Sequence, residues 1–600
     1  MSCRKNWFYG FCVAFSAIGL LYIIVCGFMS LGKGQEYPYF PKGMLIVGLF
    51  LVWMLVQFMA TLSAKLHLYE KFSVQKKWVR ILEYIFVFLV LVAGLMVRLY
   101  VINWISVPPK ADYKTYFEIG QLLHEGTLQK AGKGYCDYIA MFPHVLGYSY
   151  ILSKLFDIVG VNVQAGLYLN VAFSLATTFV MYKIGKKVGG RIAGLVALVG
   201  CAFWPSQVMY INILSAEYSF TFFLYACVWL FLSLVMDYGV DSKHSVRGFI
   251  LHFVLGALVA VTAAIRPMAL ILLIAIILVL IPQRSKMPPG KNINDIPLTV
   301  RALSKGWIRI VLILIPYLII STVITTNEEL VINRTLPSSS ASFGYNLLVG
   351  LNTESEGGWN QEDKDLLYNT MEETGSATQA HITCRDLAFV RLTINPKGIF
   401  NLFILKYELL WGNDDYGATT NITFLAEDNR LPEELENYLY SFRDWNDVVY
   451  VVFVFLSLIA LIYMWKQEGN WSILLVLLYL GTVAMHLMVE TQNRYHYFVI
   501  QVFIALAGLG LQFVFRDARK SIQVKSEEQR EQAVIEQIEQ LETQQITLLD
   551  EKKAELQKEV MENVFDMKDA LVNGHVKMTV SEAYAPKDET IETASEESSE

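Results

Sequence analysis

Long apolar runs recur along this 600-residue chain and constrain its fold more than any other feature. Most of them hold roughly 17 to 25 residues, enough for a helix to cross a hydrocarbon core about 30 Å thick. Inside lipid such a segment must be helical, because no water is present to bind its backbone amides. The composition agrees, since 54% hydrophobic and 17% charged residues lie outside the range of soluble proteins. The sequence therefore predicts an all-α polytopic membrane protein.

Twelve transmembrane helices are predicted, and the first is expected to be a retained anchor because it is long and lacks a clear cleavage site. The predicted spans lie near residues 7–30, 43–63, 81–104, 164–183, 191–210, 215–236, 248–265, 268–283, 308–326, 448–465, 471–489 and 495–515. The segment 141–160 is ambiguous, because counting it as a further span would invert every later loop. Treating it as juxtamembrane gathers the basic clusters on one side, as the positive-inside rule requires. These clusters lie at 65–80, 183–191, 284–305 and 516–520, and their side is assigned to the cytoplasm.

This topology divides the chain into five regions of a multi-pass cell-membrane protein. They are an N-terminal transmembrane hairpin with a basic cytoplasmic loop (1–80), a transmembrane module (81–326) with an external loop (105–163), an external subdomain (327–447), the C-terminal transmembrane helices (448–515) and a cytoplasmic tail (516–600). A polar segment as long as the external one is usually functional or folded. We therefore expect a small helical subdomain there.

The cytoplasmic tail is predicted to be a helix followed by a disordered acidic end. Val534, Ile538, Leu541 and Leu548 follow one another at roughly heptad spacing, which indicates a weak coiled coil. Residues 525–565 are thus candidates for self-association or for binding a protein partner. The last residues, TIETASEESSE, have the composition of a disordered, solubilising segment. The acidic excess is concentrated in this tail, and without a basic patch the sequence gives no reason to expect nucleic-acid binding.

Ionisable residues in the transmembrane region cluster at the outer ends of predicted helices. Asp112, Glu217, Arg266, Glu490 and Arg494 all emerge on one face under this topology. Ionisable groups are costly within a membrane, so their shared placement favours a functional site. We expect that site on the extracytoplasmic face.

Several sequence motifs follow one another in an order that is typical of one enzyme class. They are Asp112 with Tyr116 four residues later, MFPHVLGYSYILSKLF, ILSAEYSFTFF around Glu217, the pair Arg266-Pro267, and MVETQNRYHYFVIQVF with Glu490, Arg494 and Tyr495. Over roughly residues 81–515 the pattern resembles the GT-C class of membrane glycosyltransferases. Within that class it is similar to family 39, which includes protein O-mannosyltransferases and lipid A aminoarabinose transferases.

The resemblance implies a GT-C type fold with external juxtamembrane helices, and a sugar donor carried on a polyprenyl phosphate in the membrane lipid. The acceptor would be a hydroxyl group on a protein, a glycan or a lipid, and the displacement would invert the anomeric carbon. Two positions depart from the family pattern. Many relatives have adjacent acids where this chain has Asp112 and Tyr113, and a Pro-Pro pair where it has Phe142, Pro143 and His144.

Each candidate residue has a chemical role in this hypothesis. Asp112 is the predicted catalytic base, because a carboxylate within hydrogen-bond reach can take the proton of an acceptor hydroxyl. Arg266 and Arg494 are predicted to bind the donor phosphate, since the guanidinium fork matches phosphate oxygens. Salt bridges to Glu217 or Glu490, or contacts with lipid headgroups, are their alternative roles. The predicted acceptor and orienting residues are Tyr116, Glu217, His144, Glu490 and Tyr495.

Further alternatives remain open at this point. No cofactor is assigned, although His144 or Asp137 could join Asp112 around a divalent cation; this spacing matches no dedicated metal motif. Cys136 and Cys384 are either free or joined in a disulfide. The external aromatic residues bind sugar faces, form an interfacial belt or build a core; they are Tyr345, Trp359, Trp411 and Tyr416.

Other classes of function also accommodate a dozen spans. A polysaccharide polymerase or ligase would share polyprenyl-linked substrates and external loops. A lipid flippase or transporter would favour repeated halves and helices interrupted in mid-membrane, but no internal repeat is evident. A membrane scaffold would leave the aligned outer charges unexplained.

Overall fold

The computed structural model describes residues 6–30, 42–72, 76–237, 245–282, 305–337, 341–466 and 469–574. It is 85% helical, and these ranges contain no β-strand. The predicted all-α class is therefore confirmed. Contacts divide the chain into two units, Met1–Lys520 and Ser521–Glu600.

The helices are numbered here in chain order. They are α1 (Trp7–Ser30), α2 (Lys42–Lys65), α3 (Leu68–Lys71), α4 (Lys77–Trp104), α5 (Ala111–His124), α6 (Lys133–Met141), α7 (Val145–Val159), α8 (Val163–Gly189), α9 (Arg191–Ala202), α10 (Pro205–Met209), α11 (Glu217–Asp237), α12 (Ser245–Ile265), α13 (Ala269–Leu280), α14 (Gly306–Ile332), α15 (Gly344–Gly350), α16 (Gln361–Thr374), α17 (Ala377–Ile394), α18 (Pro396–Trp411), α19 (Tyr416–Glu427), α20 (Glu433–Lys466), α21 (Ile473–Met488) and α22 (Ile500–Val572). Short 3₁₀ turns cover Leu128–Lys130, Tyr210–Asn212 and Asn493–Val499.

Ten helical segments in the described residues are long and apolar enough to cross a membrane. They are Trp7–Met29, Leu45–Lys65, Lys77–Trp104, Val163–Gly189, Arg191–Asn212, Glu217–Met236, Val246–Ile265, Gly306–Ile332, Glu433–Lys466 and Asn493–Val572. Each overlaps a predicted span, but Glu433–Lys466 begins well before residue 448 and Asn493–Val572 continues far beyond residue 515. The protein is therefore an integral membrane protein by the length and composition of its helices.

The other two predicted spans are shorter than expected. At 268–283 and 471–489 the structure has apolar helices α13 and α21, of 12 and 16 residues. At 1.5 Å per residue they are about 18 and 24 Å long, less than the thickness of a hydrocarbon core. Helix α13 begins after Arg266-Pro267, and α21 ends before Glu490. Both neighbouring segments leave the helical path to line a cavity.

The ambiguous segment 141–160 forms α7, a helix of 15 residues that is not among the candidate spans. Its buried face packs on α5, where the Ser149 hydroxyl donates to the backbone carbonyl of Tyr116 at 3.0 Å. Gly147 lets α7 lie directly on the end of α12, since a Cβ there would meet the Ala264 carbonyl oxygen at 2.1 Å. This close approach fixes the backbone two residues before Arg266.

One predicted span is interrupted, as in many transporters, but its gap is filled by the protein itself. Helix α9 ends at Ala202, and its last carbonyls have no partner within the helix. The fully buried Arg98 of α4 donates to the carbonyl oxygens of Ala202 at 2.7 Å and Cys201 at 3.2 Å. The space beside this cap, lined partly by Ser174, measures about 10 Å³, room for about one water molecule. The interruption is therefore a capped helix end rather than an open binding site.

The predicted external segment is helical from α15 to α19, and its Cys384 forms no disulfide with Cys136 of the loop 105–163. Cys136 and Cys384 are both buried and unpaired, so the disulfide alternative is wrong. Trp411 and Tyr416 are 1% and 3% exposed, which places them in the core rather than on a sugar-binding surface. Trp359 is 55% exposed, and Tyr345 is buried at the cavity wall.

The second unit is a continuous helix over its described part, to Val572. The four residues of the predicted seam, Val534, Ile538, Leu541 and Leu548, are 51% to 62% exposed. The helix is as predicted, and its partner stays a prediction. The acidic end from residue 575 lies outside the described residues.

Candidate active site

A cavity of about 1100 Å³ lies where the start of α5, the ends of α12 and α21 and the segment 341–427 meet. It collects residues from four distant parts of the chain, including Asp112, Tyr116, His144, Arg266, Glu490, Arg494 and Tyr495. Glu217 is the one predicted site residue that does not line the cavity, and it contacts Arg266 from behind. The structure thus brings the predicted site residues together.

Asp112 stands in the first turn of α5, and the chain before it is held in an unusual conformation. Ala111 has φ of 46°, in the left-handed region that residues other than glycine rarely adopt. The preceding Lys110 is anchored on α19, where its Nζ lies 2.7 Å from Asp428 Oδ1 and 2.9 Å from the Phe424 carbonyl. These contacts stabilise the strained turn. They present a carboxylate that is 53% exposed toward the cavity.

Arg494 binds Asp112 directly, across 382 residues of sequence. Its Nη2 donates to Asp112 Oδ2 at 2.9 Å, and its Nη1 donates to the hydroxyl of Tyr113. The guanidinium carbon also lies 5.3 Å from the Tyr113 ring centroid and 5.6 Å from that of Tyr495. Tyr113, next to Asp112 in the chain, therefore positions the arginine.

The turn that carries Arg494 is anchored on both sides. Asn493 donates to the Asn413 side-chain oxygen at 2.6 Å. His496 lies 2.8 Å from the buried Asp414 carboxylate, and its ring stacks on Trp411 with centroids 5.7 Å apart. The hydrogen bonds of Asn493 and His496, which flank Arg494 in the sequence, restrict the backbone. Arg494 therefore reaches the cavity from a rigid turn.

Arg266 forms the second ion pair of the site. Its Nη2 lies 2.7 Å from Glu217 Oε1, and both side chains are largely buried, at 14% and 5% exposure. Helix α12 ends at Ile265, directly before Arg266, because the residue that precedes a proline avoids helical geometry. Glu217 thus positions Arg266. This salt bridge is the alternative role that the sequence left open for the arginine.

Glu490 is held by hydrogen bonds of its own amide and side chain, and the buried Lys406 binds the carbonyl of the residue before it. The Glu490 amide donates to the Asn346 carbonyl at 3.0 Å, and its Oε1 accepts from Gln492 at 2.7 Å. Lys406, which is 1% exposed, donates to the carbonyls of Gly350, Leu487 and Val489 at 2.7 to 2.9 Å. Burial lowers the pKa of Lys406 to about 7, whereas these three carbonyls favour the charged ammonium. Burial also raises the pKa of Glu490.

The tyrosines and His144 complete the wall of the cavity. Tyr116 is 4% exposed and packs edge-to-face on Tyr148, with ring centroids 5.5 Å apart. Burial lowers the pKa of His144 to about 4, and the positive charge of the nearby Arg266 contributes to this shift. The imidazole is therefore neutral near pH 7 and offers one donor and one acceptor nitrogen.

Of the two residues that could join Asp112 around a metal ion, His144 lines the cavity and Asp137 does not. Asp137 lies 2.8 Å from the guanidinium of Arg334. Within the described ranges, no group of three or more His, Cys, Asp and Glu residues could hold a metal ion.

Sequence reasoning missed several contributors to the cavity. They are Tyr113, Tyr138, Asn346, Lys364 and Gln492, with Lys406 behind the wall. The signal for Tyr113 was its position directly after Asp112. The others lie in segments whose pairing no local pattern reveals.

The pKa of His144 predicts a pH dependence of stability. The ordinary imidazole pKa is about 6.5, so between pH 4 and pH 6.5 the folded state binds fewer protons than the unfolded state. Stability then rises with pH across this window. We therefore expect the thermal unfolding temperature of the detergent-solubilised protein to decrease as the pH is lowered from 6.5 to 4. The decrease should be smaller in His144→Gln. His124→Gln, outside the cavity, is the control; equal pH profiles for wild type and His144→Gln would contradict the prediction.

Comparison with known proteins adds no family to this picture. No protein-family model matches the chain, and no curated protein matches its sequence. What the site does must therefore be inferred from its own geometry.

Proposed function

We propose that the protein is a membrane glycosyltransferase of GT-C type that moves a sugar from a polyprenyl-phosphate donor to a hydroxyl acceptor on the extracytoplasmic face. The observation that carries this proposal is one cavity in which an acid and two guanidinium groups meet at the ends of membrane helices. Its sidedness rests on the distribution of basic loops.

The two arginines suit the phosphate of such a donor. Breaking the bond to the anomeric carbon leaves negative charge on a phosphate oxygen, and fixed cations placed there stabilise the transition state. Each arginine has a carboxylate partner, at 2.9 Å for Arg494 and 2.7 Å for Arg266. An incoming phosphate would compete with Asp112 for Arg494 and so release the carboxylate to act as a base.

The lipid part of the donor would need an apolar wall that opens to the bilayer. Leu270 of α13 lines the cavity and is 42% exposed, and Phe343 lines it at 43% exposure. Exposed apolar side chains beside a polar cavity fit a ligand with a charged head and a hydrocarbon tail.

The transfer then follows as a single displacement. Asp112 accepts the proton of the acceptor hydroxyl while the hydroxyl oxygen attacks the anomeric carbon. The bond between that carbon and the phosphate oxygen breaks, and its electron pair leaves with the polyprenyl phosphate. One displacement of this kind inverts the anomeric configuration.

Donor binding can be measured before the sugar is known. We expect the purified full chain to bind undecaprenyl phosphate in detergent, and Arg494→Ala to bind it at least tenfold more weakly, because a charge-assisted contact is lost. Arg385→Ala removes an arginine that pairs with the exposed Asp386 outside the cavity, and should bind like the wild type. Equal affinities for Arg494→Ala and wild type would overturn the donor site.

A panel of polyprenyl-phosphate sugars then identifies the reaction. Transfer of one sugar to a hydroxyl acceptor supports the proposal. Processive extension of a glycan would indicate the polymerase or ligase alternative, and movement of the intact lipid across the bilayer would indicate a flippase.

A further inference from the structure

Lys364 lines the same cavity, and it differs from the two arginines in its partners. Its Nζ lies 6.0 Å from the ring centroid of Trp359 and 5.4 Å from that of Tyr368. No ion pair of Lys364 occurs in the part of the chain that the structure describes, whereas Arg266 and Arg494 each contact a carboxylate. Aromatic faces attract an ammonium group without neutralising it. Among the described residues, no carboxylate therefore competes with an anionic ligand for Lys364.

The backbone that presents Lys364 is fixed by a buried acid beside it. Asp363 is 2% exposed. Its carboxylate accepts hydrogen bonds from Nη2 and Nη1 of Arg391, at 2.7 and 2.9 Å. Its Oδ2 also accepts from the side-chain amides of Asn360 at 2.7 Å and Asn352 at 3.1 Å. Burial opposes its charge, but these hydrogen bonds, led by those from Arg391, lower the pKa of Asp363. The turn before α16 and the first turn of α16 are thus held rigidly.

Trp359 lies on that turn and is 55% exposed while lining the cavity. A large aromatic ring that remains exposed at a cavity wall offers a flat apolar face to a ligand. Tyr368, one turn after Lys364, lines the same wall. The three side chains combine two apolar faces with one cation.

We propose that Lys364, Trp359 and Tyr368 form a subsite for an anionic acceptor chain, in which phosphate or carboxylate groups accompany the hydroxyl that receives the sugar. The inference rests on the proposed function, because it assigns the acceptor of that reaction. The two arginines already account for the donor phosphate, whereas Lys364 belongs to a separate wall built by α16. A lysine binds such an anion as a point charge, and the rings pack against the polyol or sugar between successive anions.

Direct binding of a charged and an uncharged oligomer tests this subsite. The full chain is placed in phosphatidylcholine nanodiscs and titrated with a fluorescent hexamer of glycerol phosphate and with fluorescent maltohexaose. We expect the phosphate hexamer to bind more tightly, and Lys364→Gln to weaken it about tenfold, as for the loss of one charged contact. Lys364→Arg should retain most of the affinity. Lys397→Gln removes an exposed lysine of α18 that does not line the cavity, and should have no effect.

Three results would overturn the subsite. They are equal affinity of the phosphate hexamer for wild type and Lys364→Gln, equal binding of the two oligomers, and weaker binding of undecaprenyl phosphate by Lys364→Gln, which would place the lysine in the donor site. Nanodiscs containing one part phosphatidylglycerol to two parts phosphatidylcholine separate a lipid source of the anion. If phosphatidylglycerol abolishes the difference between wild type and Lys364→Gln, the subsite binds a lipid headgroup, and the acceptor assignment is wrong. Because donor binding is measured separately, the subsite can fail while the proposed function stands.

Discussion

Asp112→Asn is expected to abolish sugar transfer while the protein still folds and binds its donor. Asparagine cannot take the acceptor proton, and the loss of a general base costs roughly 10²- to 10⁴-fold in rate. The side-chain oxygen of asparagine can still accept from Arg494, and Tyr113 also holds that guanidinium. The substitution therefore separates chemistry from architecture. Transfer from a polyprenyl-phosphate sugar and binding of undecaprenyl phosphate are the two measurements.

Asp157→Asn is the matched control for this experiment. Asp157 is also a half-exposed acid that pairs with a base, at 2.9 Å from Lys154, but it lies outside the cavity. Its variant should transfer sugar at the wild-type rate. Unchanged transfer by Asp112→Asn would refute the mechanism, even if the donor still binds.

Arg266→Ala is expected to destabilise the protein strongly as well as to impair donor binding. Removing one partner of a buried ion pair costs about 3 to 5 kcal/mol, because the remaining charge is left unpaired. Here the stranded group is Glu217, at 4% exposure. We expect a lower unfolding midpoint in detergent. The double variant Arg266→Ala with Glu217→Gln should regain much of the stability, because it no longer buries an unpaired carboxylate.

Donor binding shows whether Arg266 does more than pair with Glu217. The double variant should remain deficient in binding undecaprenyl phosphate even where stability returns. Recovery of both properties would mean that Arg266 is structural. Arg334→Ala is the comparison for stability, since its pair with Asp137 is 30% and 19% exposed and more solvated pairs contribute about 1 kcal/mol or less.

The spans and the candidate residues follow from sequence to different depths. A long apolar run indicates that a segment is surrounded by lipid rather than water, and ten of the twelve predicted spans overlap long apolar helices. The same signal also predicted α13 and α21 as spans, although these helices hold only 12 and 16 residues, because hydropathy shows that a segment is apolar and not how long its helix is. The disulfide alternative for Cys136 and Cys384 failed for a related reason. Shared sidedness does not place two thiols within bonding distance.

The amino-acid sequence is enough to predict that the chain crosses a membrane as helices and that its candidate acids and arginines lie at helix ends. The reason is that unsatisfied backbone groups and unpaired charges are both costly in lipid. Tertiary structure alone decided the partnerships: Arg494 with Asp112 across 382 residues, Arg266 with Glu217 across 49, and Lys406 beneath Glu490. It also left Lys364 against aromatic rings rather than a carboxylate. Such pairings depend on which helices pack together and at what height, and periodicity within one helix carries no information about its neighbours.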